Sequence, residues 1–440
     1  MEQNLNPARA LALQILNKTD SAGQYTNLAL DSALKKSNLS APDKALVTIL
    51  VYGVTERRLT LDYMADALSS RPMETLDGTV RNLVRMGLYQ LRYLDRIPAH
   101  AAVSETVSLA PRRARGFVNA VLREYTRRGD DLPFPDKASD PYRCLSVTYS
   151  IPVPLCKKLC EIFGMERAES IMEAFGHAPP VTLRVNTLKI SPEEFAGELC
   201  ALGYRVRESG VLPTALSVPD FVPSGSPQLA DGQVFVQDLA SQICVEALDA
   251  RPSDFVIDTC ACPGSKTFGT AIKMRNEGSI LACDLHQSKL SLIQSGAQRL
   301  GISIIDVCER DARTHEPTLA GKADRVLCDV PCSGFGVLAK KPEIRYKDLA
   351  DAAALPDIQY AILENCCRYV KDGGVLVYST CTIFPEENEH NVARFLASHP
   401  EFAAEDFSVG DIRSKDGMLT LTPDVHGTDG FFIAKLRKMH

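Results

Sequence analysis

From about residue 236 onward the chain repeats one unit: a short apolar run, a turn, then a stretch with helical spacing. The runs are Phe255–Asp258, Ser279–Asp284, Ile304–Cys308, Arg325–Asp329 and Val375–Ser379. Continuous apolar runs of this length suit strands buried on both faces by crossover helices, which is the signature of a largely parallel α/β sheet. Three of the runs end on an acid: Asp258, Asp284 and Asp329. Ligands of open α/β sheets bind at the carboxyl ends of the strands, so these acids mark the expected functional edge. The ending DGFFIAKLRK reads as a last strand.

The rest of the chain has a different texture. Residues 1 to about 130 read as an all-α bundle of about seven helices. Ser40-Ala41-Pro42-Asp43 is a helix start, and apolar residues recur after it at helical spacing through Leu46, Ile49, Leu50 and Val54. Segments 6–17, 25–36, 59–69, 77–94, 100–110 and 114–128 carry the same periodicity. Residues 131–143, DLPFPDKASDPYR, hold three prolines and few aliphatics and read as a linker. Residues 144–235 mix a helical stretch (153–175) with a short strand, Val181–Val185, and a Pro/Ser/Gly-rich segment (213–233) read as loop. The expected organisation is therefore multidomain: a helical domain over 1–140, a small α+β module over 141–235 and an α/β domain over 236–440.

Charge divides the same way. Residues 1–130 carry 18 Lys and Arg against 13 Asp and Glu, whereas the whole chain is at −6. A basic front on an acidic body points to an anionic partner. No apolar run approaches a membrane span, and the opening MEQNLNPARA is not a secretory signal. With 14 cysteines unevenly spaced, reduced thiols in the cytoplasm are expected rather than a disulfide framework.

Three segments carry chemistry. The turn Asp258-Thr-Cys-Ala-Cys-Pro-Gly-Ser-Lys266-Thr267 joins a strand to a helix. It lacks the glycines of a Walker loop and of the dinucleotide fingerprint, so it suits a ligand without a diphosphate, such as S-adenosylmethionine (SAM). Asp284, twenty residues after Gly264, is placed to accept from both ribose hydroxyls, and Asp311 could reach the adenine amino group. The second segment is Asp329-Val-Pro-Cys332-Ser-Gly334-Phe-Gly336, and the third is Tyr378-Ser-Thr-Cys381 with Thr382 through Asn388 behind it. Carbon 5 of cytosine is too weak a nucleophile to attack a methyl sulfonium. A thiolate added at carbon 6 makes it enamine-like. That chemistry calls for a thiolate, a proton acceptor and an acid near N3, which Cys381, Cys332 and Asp329 supply in type. The residues alone leave open which cysteine attacks. Cys260-x-Cys262 and Cys328-x₃-Cys332 do not form a zinc-finger pair, and no metal is expected.

These motifs give the chain its resemblance. It resembles the Sun/Fmu (RsmB) family of bacterial 16S ribosomal RNA cytosine-5 methyltransferases. The family pattern D-x-C-A-A-P-G-G-K-T matches 258–267 except at Cys262 and Ser265. D-A-P-C-S-G-x-G matches 329–336 except at Val330, and S-T-C-S matches 379–382 with Thr382 last. Leu183–Thr187, Gln237–Ser241 and His426–Phe432 match as well. Gly53 with Arg57, the stretch Arg92–Glu105 and Gly116–Arg123 resemble a NusB-type RNA-binding domain. The resemblance implies a NusB-like helical bundle, a small α+β RNA-binding module and a Rossmann-like SAM-dependent methyltransferase domain. It implies Cys381 as nucleophile and Cys332 in product release. It places SAM around Cys260, Ala261, Cys262, Pro263, Gly264, Ser265 and Lys266, with Asp284, Asp311 and Asp329 alongside. The implied partner is 16S rRNA, bound by a cytoplasmic enzyme expected to act as a monomer.

Arg112, Arg113, Arg115, Arg123, Arg127 and Arg128 face only Glu124 between 112 and 128, a stripe suited to phosphates. Lys340, Lys341 and Arg345 follow the Cys332 turn and are expected to hold phosphates beside a flipped base. A tRNA substrate, and a non-catalytic RNA-binding assembly factor, remain the alternatives. Retention of both Cys332 and Cys381 argues against the second.

Overall fold

The computed structural model describes residues 6–22, 26–129, 131–177, 180–223 and 225–439. The first five residues, Tyr25 at the head of the expected 25–36 helix and Ser224 in the expected 213–233 loop lie outside them. Packing divides the chain into two compact units. The first runs to Gly176 and takes in Leu338–Lys347; the second is His177–Val337 with Asp348 onward.

The first unit holds seven helices where the periodicity put them: α1 (Pro7–Ala22), α2 (Thr26–Lys36), α3 (Ala41–Glu56), α4 (Arg58–Leu68), α5 (Gly78–Tyr93), α6 (Ala99–Leu109) and α7 (Arg115–Arg128). Ser40 caps α3 by accepting the Asp43 N–H at 3.3 Å, with Pro42 in the first turn. Leu50, Leu83, Val84, Val118 and Leu122 fill the core. A Cβ at Gly87 would lie 2.5 Å from Leu122, so glycine lets α5 and α7 approach closely. After the proline-rich stretch come α8 (Pro141–Tyr149), α9 (Val153–Phe163) and α10 (Met165–Ala174).

Leu338–Lys347 packs into this unit through Arg345, which is 1% exposed. Its guanidinium donates to the carbonyls of Glu56 (2.9 Å), Leu338 (3.2 Å) and Tyr149 (3.4 Å). The Tyr346 hydroxyl donates to the Thr55 carbonyl at 2.8 Å.

The second unit begins with a small antiparallel sheet of β1 (Val181–Val185), β2 (Arg207–Glu208), β3 (Ala215–Val218) and β4 (Val234–Val236), in the order β2-β3-β1-β4. The helix Pro192–Ala201 buries Phe195 and Leu199 with Leu183 and Leu216 of this sheet. β3 corrects the expected loop over 213–233. Ala215, Leu216 and Val218 are buried, but the run is short and flanked by Pro213 and Pro219, which mask it in the sequence.

The large sheet comprises β5 (Phe255–Asp258), β6 (Ser279–Asp284), β7 (Ile305–Glu309), β8 (Ala323–Asp329), β9 (Val370–Thr380), β10 (Phe402–Ala404), β13 (Met418–Leu421) and β14 (Phe431–Lys438). Ser408–Val409 (β11) and Ile412–Arg413 (β12) form a separate ribbon. The order is β10-β14-β9-β8-β5-β6-β7, with β13 also on β14. The strands from β9 to β7 run parallel, and β14 is antiparallel to β9. On β8, Val326 and Cys328 enter one core and Leu327 the other, so the sheet is buried on both faces as its unbroken apolar runs require. Among the described residues, no helix is long and apolar enough to cross a membrane.

Candidate active site

Strand register builds the site. Asp258 of β5 sits opposite Ala282 of β6 and Leu327 of β8. Asp284 and Asp329 therefore stand two residues further out on the flanking strands. Asp329 is opposite Ser379 of β9, which puts Cys381 two residues beyond that. Even offsets along a pleated strand keep side chains on one face, so the acids and Cys381 rise along one edge like a stair.

The turn after β5 leads into the helix Ser265–Lys273 through Gly264, whose φ of 109° lies in the region that favours glycine. Asp284 accepts the backbone N–H groups of His286 (3.0 Å) and Cys262 (3.3 Å). A carboxylate has about four lone-pair sites, so two stay open to hydroxyls. Asp258 is buried, and burial pushes its carboxyl up to about 7 despite the Thr267 hydroxyl at 2.6 Å. Its Oδ1 has no hydrogen-bond partner. Lys266 pairs with Asp329 at 2.8 Å and lies 4.9 Å from the centre of the Phe431 ring. Burial alone would lower Lys266, but its neighbours together, Asp329 foremost, outweigh it and hold the ammonium above the usual lysine value. Asp311 follows β7, and Arg313 grips its carboxylate at 2.6 Å, holding it below the usual carboxylate range. The two unusual residues of the turn are also placed. The Cys262 thiol lies 3.7 Å from the Lys289 carbonyl, and Ser265 opens the helix, its carbonyl accepting from Gln237 at 3.1 Å.

The two cysteine turns meet. The Cys332 and Cys381 sulfurs are 3.0 Å apart, and the Cys381 N–H donates to the Cys332 sulfur at 3.2 Å. The hydrogen bond to Cys381, with burial, pushes the Cys332 thiol well above its ordinary value. Asp329 accepts the Ser379 hydroxyl at 2.8 Å, tying its strand end to that of β9. Gly336 donates to the Cys381 carbonyl at 3.0 Å and accepts from Gly430 at 2.8 Å. A Cβ at Gly336 would fall 1.9 Å from the Gly430 carbonyl oxygen, so only glycine permits this junction.

The structure thus gathers Asp258, Asp284, Asp329, Lys266, Cys332 and Cys381 along one sheet edge, with Asp311 after the next strand. It also brings in residues that the sequence reading gave no role. Glu387 and Asn388, 2% and 0% exposed, bond to the neighbours of both cysteines, and Gln359 joins them from the helix Leu355–Cys366. The available signal was the polar run Glu386-Glu387-Asn388 close behind a strand end. Among the described residues, no group of three or more His, Cys, Asp or Glu is arranged to hold a metal ion.

Of the basic residues, the α7 stripe splits. Arg115, Arg123 and Arg127 line a groove of about 760 Å³ with Asn119 and with His100, Ser104 and Ser108 of α6. Arg127 also pairs with Glu124 at 2.5 Å. The expectation for Arg345 is overturned: it is buried and spent on three backbone carbonyls, so it cannot grip phosphate.

Comparison with known proteins agrees with this geometry. Residues 245–437 match the family model for 16S rRNA methyltransferase RsmB/F, residues 6–127 the NusB family, and residues 151–224 the ferredoxin-like domain of RsmF/B-like methyltransferases. The chain is 38% identical over 443 residues to the probable ribosomal RNA small subunit methyltransferase B of Bacillus subtilis (strain 168), covering 98% of each. It is 35% identical over 445 residues to ribosomal RNA small subunit methyltransferase B of Klebsiella pneumoniae, covering 100% of this chain and 99% of that one. The crystal structure of NSun6 from Pyrococcus horikoshii with SFG, a SAM analogue, superimposes with a TM-score of 0.59 at 26% identity. That match covers 66% of this chain and 98% of that one. With the sheet edge, the paired cysteines and whole-length relatives in agreement, the chain belongs to the ribosomal RNA small subunit methyltransferase B family of SAM-dependent rRNA methyltransferases.

Proposed function

We propose that this protein methylates carbon 5 of a cytosine in 16S rRNA through a covalent bond between Cys381 and the base. The observation that carries the reading is the pair of sulfurs 3.0 Å apart at the ends of β8 and β9. A binding module has no use for two thiols so placed, and thiolate addition at carbon 6 followed by assisted release needs both.

SAM fits the edge beside them. Asp284 has lone pairs free for ribose hydroxyls, Asp258 offers a buried oxygen without a protein partner, and the turn 260–266 is free of a diphosphate cradle. SAM supplies an electrophilic methyl group there. The chain's own residues do the rest. Cys381 forms the bond to carbon 6, and the displaced electron pair makes carbon 5 nucleophilic. Asp329 lies on the same edge to meet N3, with Lys266 and Ser379 holding its carboxylate. Removal of the carbon-5 proton restores the double bond and expels Cys381, a step assigned to the side on which Cys332 stands. The α6–α7 groove, rimmed by Arg123 and Arg127, suits phosphates of the same RNA.

The test is a denaturing gel with SAM and 16S rRNA from cells lacking the gene. Cys332→Ala is expected to accumulate a SAM-dependent protein–RNA adduct, Cys381→Ala and the double variant none. An adduct with Cys381→Ala alone would transfer the attack to Cys332. Bisulfite mapping of rRNA and tRNA from cells with and without the gene then identifies the methylated strand; a difference confined to tRNA refutes the rRNA assignment.

A further inference from the structure

Glu387 is buried yet three donors converge on its carboxylate. Oε2 accepts the Ser333 N–H at 2.9 Å and Gln359 Nε2 at 2.8 Å, and Oε1 accepts the Ser333 hydroxyl at 2.5 Å. Gln359 Nε2 also donates to the Pro331 carbonyl at 3.0 Å. Pro331 and Ser333 are the two chain neighbours of Cys332. The next residue repeats the arrangement around the other cysteine. Asn388 accepts the Thr380 hydroxyl at 2.6 Å and donates to the Thr382 carbonyl at 3.0 Å. Thr380 and Thr382 are the two chain neighbours of Cys381. The Ser333 and Thr382 hydroxyl oxygens, 3.0 Å apart, join the two brackets. The Tyr378 hydroxyl donates to the Glu387 carbonyl at 2.5 Å and fixes the turn to β9.

A buried carboxylate is costly unless its bonds are complete, and these bonds go to Ser333 beside Cys332 and to Gln359, which also holds the Pro331 carbonyl on the other side of it. We propose that Glu387 and Asn388 are positioning residues with divided duties: Glu387 sets the Cys332 sulfur and Asn388 sets the Cys381 sulfur. The inference rests on the cytosine-5 reading, in which the two thiols act at different steps. The charge of Glu387 near Cys332 also acts with burial and the Cys381 hydrogen bond in keeping that thiol protonated at rest.

The division makes two adjacent substitutions behave oppositely. Loosening Cys332 delays release, so Glu387→Ala should trap adduct about tenfold above the unmodified protein while turnover falls. Loosening Cys381 delays attack, so Asn388→Ala should lower turnover about tenfold with no trapped adduct. Glu387→Gln keeps an acceptor for the Ser333 N–H and should return adduct and turnover most of the way. The assay uses the full chain, SAM and 16S rRNA from cells lacking the gene, with SAM affinity by calorimetry as the control for folding. If Glu387→Ala does not fold, Ser333→Ala opens the same bracket from its other side and should trap adduct in the same sense. Equal loss of turnover in Glu387→Ala and Asn388→Ala without a difference in adduct would show plain structural support and overturn the inference. Normal turnover of Glu387→Ala beside a trapping Cys332→Ala overturns it too, and leaves the cytosine-5 reading standing. An adduct with Cys381→Ala and none with Cys332→Ala overturns the division of duties alone, and absence of adduct in both single variants overturns both.

Discussion

The cysteine edge of the second unit and the arginine groove of the first handle polar groups in opposite ways. Around the sulfurs, Ser333, Thr380, Thr382, Glu387 and Asn388 are all under 5% exposed and hydrogen-bonded to one another or to the two turns. In the groove, the Arg127 side chain is 73% exposed, and Arg123 bonds along its own helix to Asn119. The difference follows from what each must do. A sulfur must meet one carbon within a fraction of an ångström, so its supports are buried and over-determined. Attraction to phosphate falls slowly with distance and is screened by salt, so long exposed side chains serve.

If burial with several hydrogen bonds measures energetic weight, the largest effect on stability belongs to a third place, Arg345. Arg345→Ala removes a donor from the carbonyls of Leu338, Tyr149 and Glu56, the last of which keeps the Tyr346 hydroxyl at 3.3 Å, and should destabilise the full chain by about 3 kcal/mol, read by urea unfolding. A loss below about 1 kcal/mol would break the link between burial and weight on which the comparison stands. Next comes Asp284→Ala, at the edge of the buried site. It should weaken SAM by about 1–3 kcal/mol in calorimetry, since two hydroxyls and two backbone N–H groups lose their acceptor. Unchanged affinity would move the ribose away from Asp284. The smallest effect is expected in the groove. Arg123→Gln with Arg127→Gln should weaken RNA binding modestly and lower the slope of log affinity against log salt by about 1 per arginine, with SAM affinity unchanged. A large loss independent of salt would mean that this groove also fixes a base.

Legibility from sequence followed the range of the interactions. β5 and β6 begin and end where their apolar runs do, because local patterning decides a strand buried on both faces. Cys332 and Cys381 were legible as a pair since each closes a strand of the same sheet. Glu387 was not, because its meaning lies in Ser333, 54 residues away. Arg345 was misread for a related reason: a cation in a loop beside two lysines looks solvated, and only the carbonyls of Glu56 and Tyr149, far back in the chain, show otherwise. β3 was lost to its flanking prolines, a local signal that tertiary pairing with β1 overrode.

The strap Leu338–Lys347 sets a schedule as well as a contact. Domains emerging from the ribosome usually fold N-terminal first. Here the first unit has its ten described α-helices by Gly176, yet the arginine that ties off its α3 and α8 ends is not translated until residue 345, after β8 and the Cys332 turn of the second unit have been made. The first unit must wait, incomplete, through most of the synthesis of the second. A fragment cut at Gly176 reproduces that waiting state rather than the finished unit, and supplying Leu338–Lys347 as a tethered segment is what completes it.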